Sequence, residues 1–146
     1  DAIHRCAEQK RCYCRGMVQT NRHNKMGRAQ DQGKRAESIA LYMLQRRGWR
    51  VLNRNWRCKW GELDLVLQKD RRLLVVEVKG RTEGHHDRNG LDAFHTNKRR
   101  RLARAISCWR SVHPEAEALL LQVILALVPL SPSKACFRWI QLDRLS

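Results

Sequence analysis

Apolar residues recur along the chain in three rhythms, and each predicts an element. From Gly33 to Gly48 they fall at Ala36, Ile39, Ala40, Met43 and Leu44, one face of an α-helix, and basic Arg46 and Arg47 followed by Gly48 supply its stop. Trp49 to Trp56 reads as a short strand with aromatic and basic residues interleaved. Gly61 to Arg81 carries two Leu- and Val-rich runs on either side of the polar Lys69-Asp70-Arg71-Arg72, the pattern of a β-hairpin. Helical spacing returns from Leu91 to Val112, where Leu102, Ala105, Ile106, Trp109 and Val112 form the stripe to be buried and Pro114 ends the helix. Leu119 to Val128 is almost continuously apolar, as in a strand covered on both faces. Pro129 to Pro132 makes a turn, and Ala135 to Gln141 alternates as a final edge strand. The order α-β-β-β-α-β-β predicts an α/β fold, a mixed central sheet flanked by helices.

The hairpin register follows from burial. A turn centred between Asp70 and Arg71 sets Leu63, Leu65 and Leu67 opposite Val78, Val76 and Leu74, an apolar face. The other face pairs Asp64 with Glu77, Glu62 with Lys79 and Val66 with Val75. Slipping one strand by a residue would drive charge under the core. This register has an electrostatic consequence. Opposed residues have Cβ atoms roughly 4.5–5.5 Å apart, and two carboxylates about 5 Å apart repel by on the order of 3 kcal/mol at an effective dielectric near 20. Protonation, an interposed basic residue or a divalent cation would relieve that. Mg²⁺ is commonly held by one or two carboxylates with water and substrate phosphate. Lys79 lies two residues beyond Glu77 and points to the same side of the strand. Asp64, Glu77 and Lys79 therefore suit metal-dependent phosphodiester hydrolysis. They equally suit a solvated sheet face whose charges cancel locally, and spacing alone leaves both readings standing. Glu37 reads either as an acid complementing a helix N-terminus or as a further acid reaching the hairpin.

Charge narrows the partner. The chain has 146 residues, a formal net charge of +16 and a pI near 10.7. An excess of this size points to a polyanion, with nucleic acid ahead of an anionic membrane, because no basic amphipathic helix with exposed aromatics stands out. Arg50, Arg54, Arg57 and Lys59 are placed to follow a phosphate backbone, with Trp56 or Trp60 against a base or sugar, although tryptophans also pack cores. Lys98, Arg99, Arg100, Arg101, Arg104 and Arg110 crowd the second helix, nearly all of one sign. Ala118 to Leu130 is interrupted by Gln122 and too short to span a bilayer. No signal peptide is visible, and of six cysteines Cys58, Cys108 and Cys136 stand singly, so the expectation is a cytoplasmic protein with reduced thiols.

Residues 1–32 read as a flexible basic tail and 33–146 as the folded domain. Cys6, Cys12 and Cys14 with His4 and His23 do not have the spacing of a zinc finger, and Met17 or Met26 would serve as an alternative start. The segment from Gly80 to Gly90, with Arg81, His85, His86 and Asp87, reads as a solvated loop beside the site.

With these residues placed, the sequence resembles the small bacterial proteins called YraN-like, whose fold is that of the restriction-endonuclease-like nucleases. The resemblance runs from about Gly33 to the C-terminus. It rests on Gly33-x-x-x-Glu37, Gly48, Arg54-Asn55, Gly61-Glu62-Leu63-Asp64-Leu65, Val76-Glu77-Val78-Lys79-x-Arg81 and Lys98. The nuclease pattern is an acid, a gap, then acid-x-lysine. It implies that Asp64 and Glu77 are metal-ligand acids, that Lys79 lies near the attacking water, that Glu37 is a helix-borne acid joining the metal set and that Lys98 contacts phosphate. Arg81, Arg54, Arg57 and Arg101 complete the expected nucleic-acid contacts. The implied function is that of a Mg²⁺- or Mn²⁺-dependent endonuclease, acting on DNA before RNA and on branched or single-stranded DNA in particular. A homodimer is compatible with it. The alternative is a non-catalytic nucleic-acid-binding module of the same fold. Two departures stand out: Gly80 replaces a more usual Thr, and Leu120-Leu121-Gln122 occupies a stretch where an aspartate is common.

Overall fold

The structure is a computed structural model and describes residues 25–81, 96–130, 136–143 and 145. Its elements are α1 (Lys25–Gln45), β1 (Arg50–Cys58), β2 (Gly61–Lys69), β3 (Arg72–Arg81), α2 (Thr96–Ser111), a short 3₁₀ turn (Pro114–Ala116), β4 (Leu120–Pro129) and β5 (Arg138–Gln141). The strands form one five-stranded sheet in the order β1-β2-β3-β4-β5, with β3 central. β3 and β4 run parallel and every other neighbouring pair antiparallel. This is the mixed α/β architecture and element order that the hydrophobic pattern predicts.

The hairpin has the expected register: Leu65 pairs with Val76, Val66 with Val75, Leu67 with Leu74, and Lys69 with Arg72 closes the turn. Asp70 takes a left-handed φ of 52° there, a conformation that aspartate tolerates in two-residue hairpin loops. A helix covers each face of the sheet. Ala36, Ala40, Leu41 and Leu44 of α1 pack with Trp49 on Leu65, Leu67, Leu74, Val76, Val78, Ile124, Ala126 and Val128. Leu102, Ala105, Ile106 and Trp109 of α2 pack on Leu63, Val66, Leu73, Val75, Val123, Leu125 and Leu127. The Trp109 indole N–H donates to Asn53 Oδ1 at 2.7 Å and ties α2 to β1. At the end of α1, Gly48 adopts φ 85° and Lys69 Nζ donates to the Arg47 carbonyl at 2.5 Å, so a hairpin cation sits at the negative end of the helix.

Four local expectations are corrected. Leu63 belongs to the α2 core, not to the face of Leu65 and Leu67. Strand alternation breaks at Asp64, across from which Asn55 of β1 has φ 49°. α1 begins at Lys25 rather than Gly33. Residues 28–32 and 34–35 are exposed, so the helix there shows no apolar stripe to read, yet Ala29, Gln30, Gln32, Lys34 and Arg35 are good helix formers. Val112 is 60% exposed, because α2 ends at Ser111 and the chain leaves helical register there. β4 is exposed at Leu120 and Leu121 and buried on both faces only from Val123 to Val128. Cys6, Cys12, Cys14, His4, His23, Met17, His85, His86 and Asp87 lie outside the described residues.

The glycine at position 80 has a steric reason. A Cβ added there would fall 2.5 Å from Leu130 Cδ1 and 3.4 Å from Ala36 Cβ, so the end of the Leu130 side chain would have to turn aside to admit a threonine.

Candidate metal and phosphate site

The site lies where the central hairpin opens. The paired stretch of β2 and β3 ends at Leu65 and Val76. One residue further on, the Asp64 carboxylate enters the gap and Oδ2 accepts the Val78 backbone N–H at 2.8 Å. A side chain thus takes a donor that a regular ladder would give to a carbonyl. Two consequences follow: Asp64 is held rigidly, and it is drawn out of water. Burial, the neighbouring Glu77 and, more weakly, Glu37 and Glu62 push its pKa up from 3.8 to about 7, against the lowering effect of the Val78 amide.

Glu77 lies on the α2 side of β3, in line with Leu73 and Val75, and is only 9% exposed. A carboxylate this deep needs a partner. It has one in Lys98 of α2, whose Nζ is 3.2 Å from Glu77 Oε1. Lys79 follows two residues after Glu77 on the same side, within hydrogen-bonding reach of Lys98. Burial and then the Lys98 ammonium drive the Lys79 amine toward its neutral form, although Glu77 and Asp64 pull the other way. For Lys98 burial also favours the neutral amine, but Glu77 and the contacts to Lys79 outweigh it and its pKa rises. Two acids and two lysines thus converge from β2, β3 and α2. This is not the solvated sheet face that the spacing also allowed.

The other expected residues sit further out. Glu37 of α1 accepts from Asn55 Nδ2 at 3.0 Å through Oε2, beside the acid pair. Arg54 donates to Ser38 Oγ at 3.4 Å, on the α1 side of β1. Arg57 is ion-paired with Glu62 at 3.3 Å on the surface. Arg101 Nε donates to the Trp60 carbonyl at 3.2 Å, at the turn between β1 and β2. Arg81 ends β3, two positions past Lys79, and is half-buried.

The Lys98–Glu77 pair was not anticipated from the sequence, yet a signal existed. Lys98 stands at i relative to Leu102 (i+4), Ala105 (i+7), Ile106 (i+8) and Trp109 (i+11), so it continues the buried stripe and turns toward the sheet. Asn55 as the partner of Glu37 had no comparable signal, because the contact depends on the local distortion of β1.

The donor chemistry fits a hard divalent cation in a limited way. Among the described residues no three His, Cys, Asp or Glu side chains gather closely enough to form a complete cage. Asp64 and Glu77 would be the protein ligands, and the remaining positions would fall to water, a backbone carbonyl or phosphate, as Mg²⁺ accepts. The Val78 amide engages Oδ2 of Asp64, and Lys98 engages Oε1 of Glu77. The second oxygen of each carboxyl is then the one to meet a cation.

Comparison with known proteins bears on this site. A family model described as "Uncharacterised protein family UPF0102" matches residues 36–129, a span that includes Glu37, Asp64, Glu77, Lys79 and Lys98. A UPF0102 protein of Synechococcus sp. (strain CC9902) is 67% identical over 121 residues, which is 83% of this chain and 100% of that protein. One from Parasynechococcus marenigrum (strain WH8102) is 53% identical over 116 residues, 80% of this chain and 84% of its own length. A more distant one, from Geobacter metallireducens, is 35% identical over 86 residues, 59% of this chain and 70% of its own.

Proposed function

This chain belongs to the UPF0102 family, and from that premise and the geometry of its acid pair we propose that it is a nucleic-acid-binding, metal-dependent endonuclease that hydrolyses phosphodiester bonds, in DNA before RNA. The observation that carries the reading is a half-buried Asp64 set beside buried Glu77, which raises the Asp64 pKa to about 7. A fold does not draw two acids together out of water for stability, since each ionised carboxylate opposes the other. The arrangement makes sense if the charge is used.

Asp64 and Glu77 would hold Mg²⁺ or Mn²⁺, and such an ion supplies Lewis-acid polarisation of a phosphate oxygen and a more acidic bound water. Asp64 comes to the task already aimed, because the Val78 N–H holds its carboxylate. Lys79, biased toward the neutral amine, can accept a hydrogen bond or a proton from the attacking water, a role a fully charged lysine cannot fill. Lys98 can exchange Glu77 for a phosphate oxygen, placing a positive charge where negative charge develops. The net charge of +16 favours a polyanionic substrate over a small neutral one.

The test is a cleavage panel of single-stranded, duplex, flap and four-way DNA and RNA, with Mg²⁺, with Mn²⁺ and with EDTA. Wild type should cut at least one DNA with metal only, and Asp64→Asn should bind but not cut. Unchanged cutting by Asp64→Asn would place the activity elsewhere. A second reading has an observation of its own. Lys98 already neutralises Glu77 without any metal, as a non-catalytic nucleic-acid-binding module would require. That reading predicts salt-dependent binding and no turnover with either metal.

A further inference from the structure

The β1–β2 turn and the outer face of α2 form an open cleft of about 450 Å³ lined by Trp60, Ala103, Arg104, Ser107 and Cys108. Its chemistry is distinctive. The guanidinium carbon of Arg104 is 4.5 Å from the Trp60 ring centroid, and Lys59 Nζ is 5.1 Å from it. Arg101 Nε donates to the Trp60 carbonyl at 3.2 Å and ties the turn to α2. Two cations therefore flank one indole, and a third holds the backbone carbonyl of the same residue. Among the described residues no carboxylate is ion-paired with Lys59, Arg101 or Arg104, and nearby Glu62 is engaged by Arg57 at 3.3 Å. Like charges gathered this closely repel, and an anion brought among them removes the repulsion.

A simple anion would explain the charge but not the rest. An arginine held over an aromatic ring keeps a second planar face for stacking. Bases stack on such platforms whatever their sequence, provided they are unpaired. Ala103 and Ser107 are small and leave the space open on the helix side. Position matters too. Lys98 meets Glu77 at the acid pair, and Arg104 is six residues along the same helix, about 9 Å at the rise of an α-helix. Lys98 faces the sheet and Arg104 the outer side of α2, so a strand with one phosphate at Lys98 reaches the cavity by crossing round the helix as well as along it.

The geometry points to the Trp60–Arg104 cavity as a seat for an unpaired nucleotide of the strand whose scissile phosphate lies at Asp64 and Glu77. This rests on the nucleic-acid reading above and adds to it the substrate class: single-stranded or locally unpaired DNA, held by one base as well as by its phosphates. A continuous duplex offers phosphates to Arg101 and Lys59 but no base to the cavity.

Fluorescence anisotropy with the full chain in EDTA tests the seat apart from any cutting. The probes are a labelled oligothymidine, the same backbone with every base removed, and a duplex. Wild type should bind oligothymidine about tenfold tighter than the abasic strand, the size of effect that stacking a base supplies. Arg104→Gln, an exposed change that leaves the core intact, should bring that ratio close to one, and Trp60→Leu should do the same. Arg57→Gln should weaken both strands equally and keep the ratio. A wild-type ratio near one overturns the proposal, as does an unchanged ratio in Arg104→Gln. Cutting with metal but no base preference would sink the seat alone. A base preference without cutting would sink the hydrolase and leave the seat.

Discussion

Replacing Asp64 by asparagine should stabilise the protein, and only above a definite pH. In metal-free buffer the folded Asp64 holds its proton up to about pH 7, whereas the ordinary value for an unfolded aspartate is 3.8. Between these values the folded state binds more protons than the unfolded one, so stability falls as pH rises through the window and levels off above it. About three pH units at 1.36 kcal/mol each set a ceiling of roughly 4 kcal/mol. Asparagine keeps the shape and an oxygen for the Val78 N–H but carries no charge. It is still a polar group in a half-buried place, so the gain is smaller, about 2 kcal/mol at pH 8, or roughly 6 °C in melting temperature for a chain of this size. At pH 4, where wild type is itself neutral at this position, the two proteins should melt together. Thermal and urea denaturation in EDTA at unit steps from pH 4 to pH 8 would measure this. A variant less stable than wild type at pH 8, or a difference independent of pH, would refute the claim that burial and Glu77 oppose ionisation of Asp64. Adding Mg²⁺ should then raise the melting temperature of wild type and leave Asp64→Asn unmoved.

Lys98→Met should lower stability in EDTA by about 1–2 kcal/mol, allowing for the partial exposure of the lysine. The same change should tighten Mn²⁺ binding in calorimetry, because the cation no longer competes with an ammonium for Glu77; equal affinity would show that Lys98 and metal do not share that carboxylate. Mn²⁺ affinity of wild type should rise with pH up to about 7 and then flatten, since below that point the ion must displace the proton on Asp64. A flat profile from pH 5 to pH 8 would mean that Asp64 is not a ligand.

Short-range pattern accounts for much of what was legible. The hairpin register was expected from keeping charge off one apolar face, and Leu65–Val76 and Leu67–Leu74 pair accordingly, while α2 covers the opposite face and Glu77 is buried there. Order and type of the elements followed from apolar periodicity, which set Asp64, Glu77 and Lys79 on one face of the hairpin; that the ladder stops at Leu65 and Val76, short of that pair, was not legible. Where a segment packs on nothing, periodicity is silent, and the exposed first turns of α1 escaped notice for that reason.

The sequence by itself therefore determined the sheet and its central ribbon, because alternation along a strand is a local property of the backbone. Tertiary structure alone decided the rest. Leu63 joins the α2-side core, at a point where Asn55 of β1 takes a left-handed conformation. Lys98 became the counter-ion of a buried carboxylate because the crossover between β3 and β4 lays α2 over that face. Trp60 and Arg104 are 44 positions apart and meet because a turn and a helix close on each other. Side chains distant in the chain share a site only after burial of the core has positioned the elements that carry them, and periodicity in one segment holds no record of which segment will cover it.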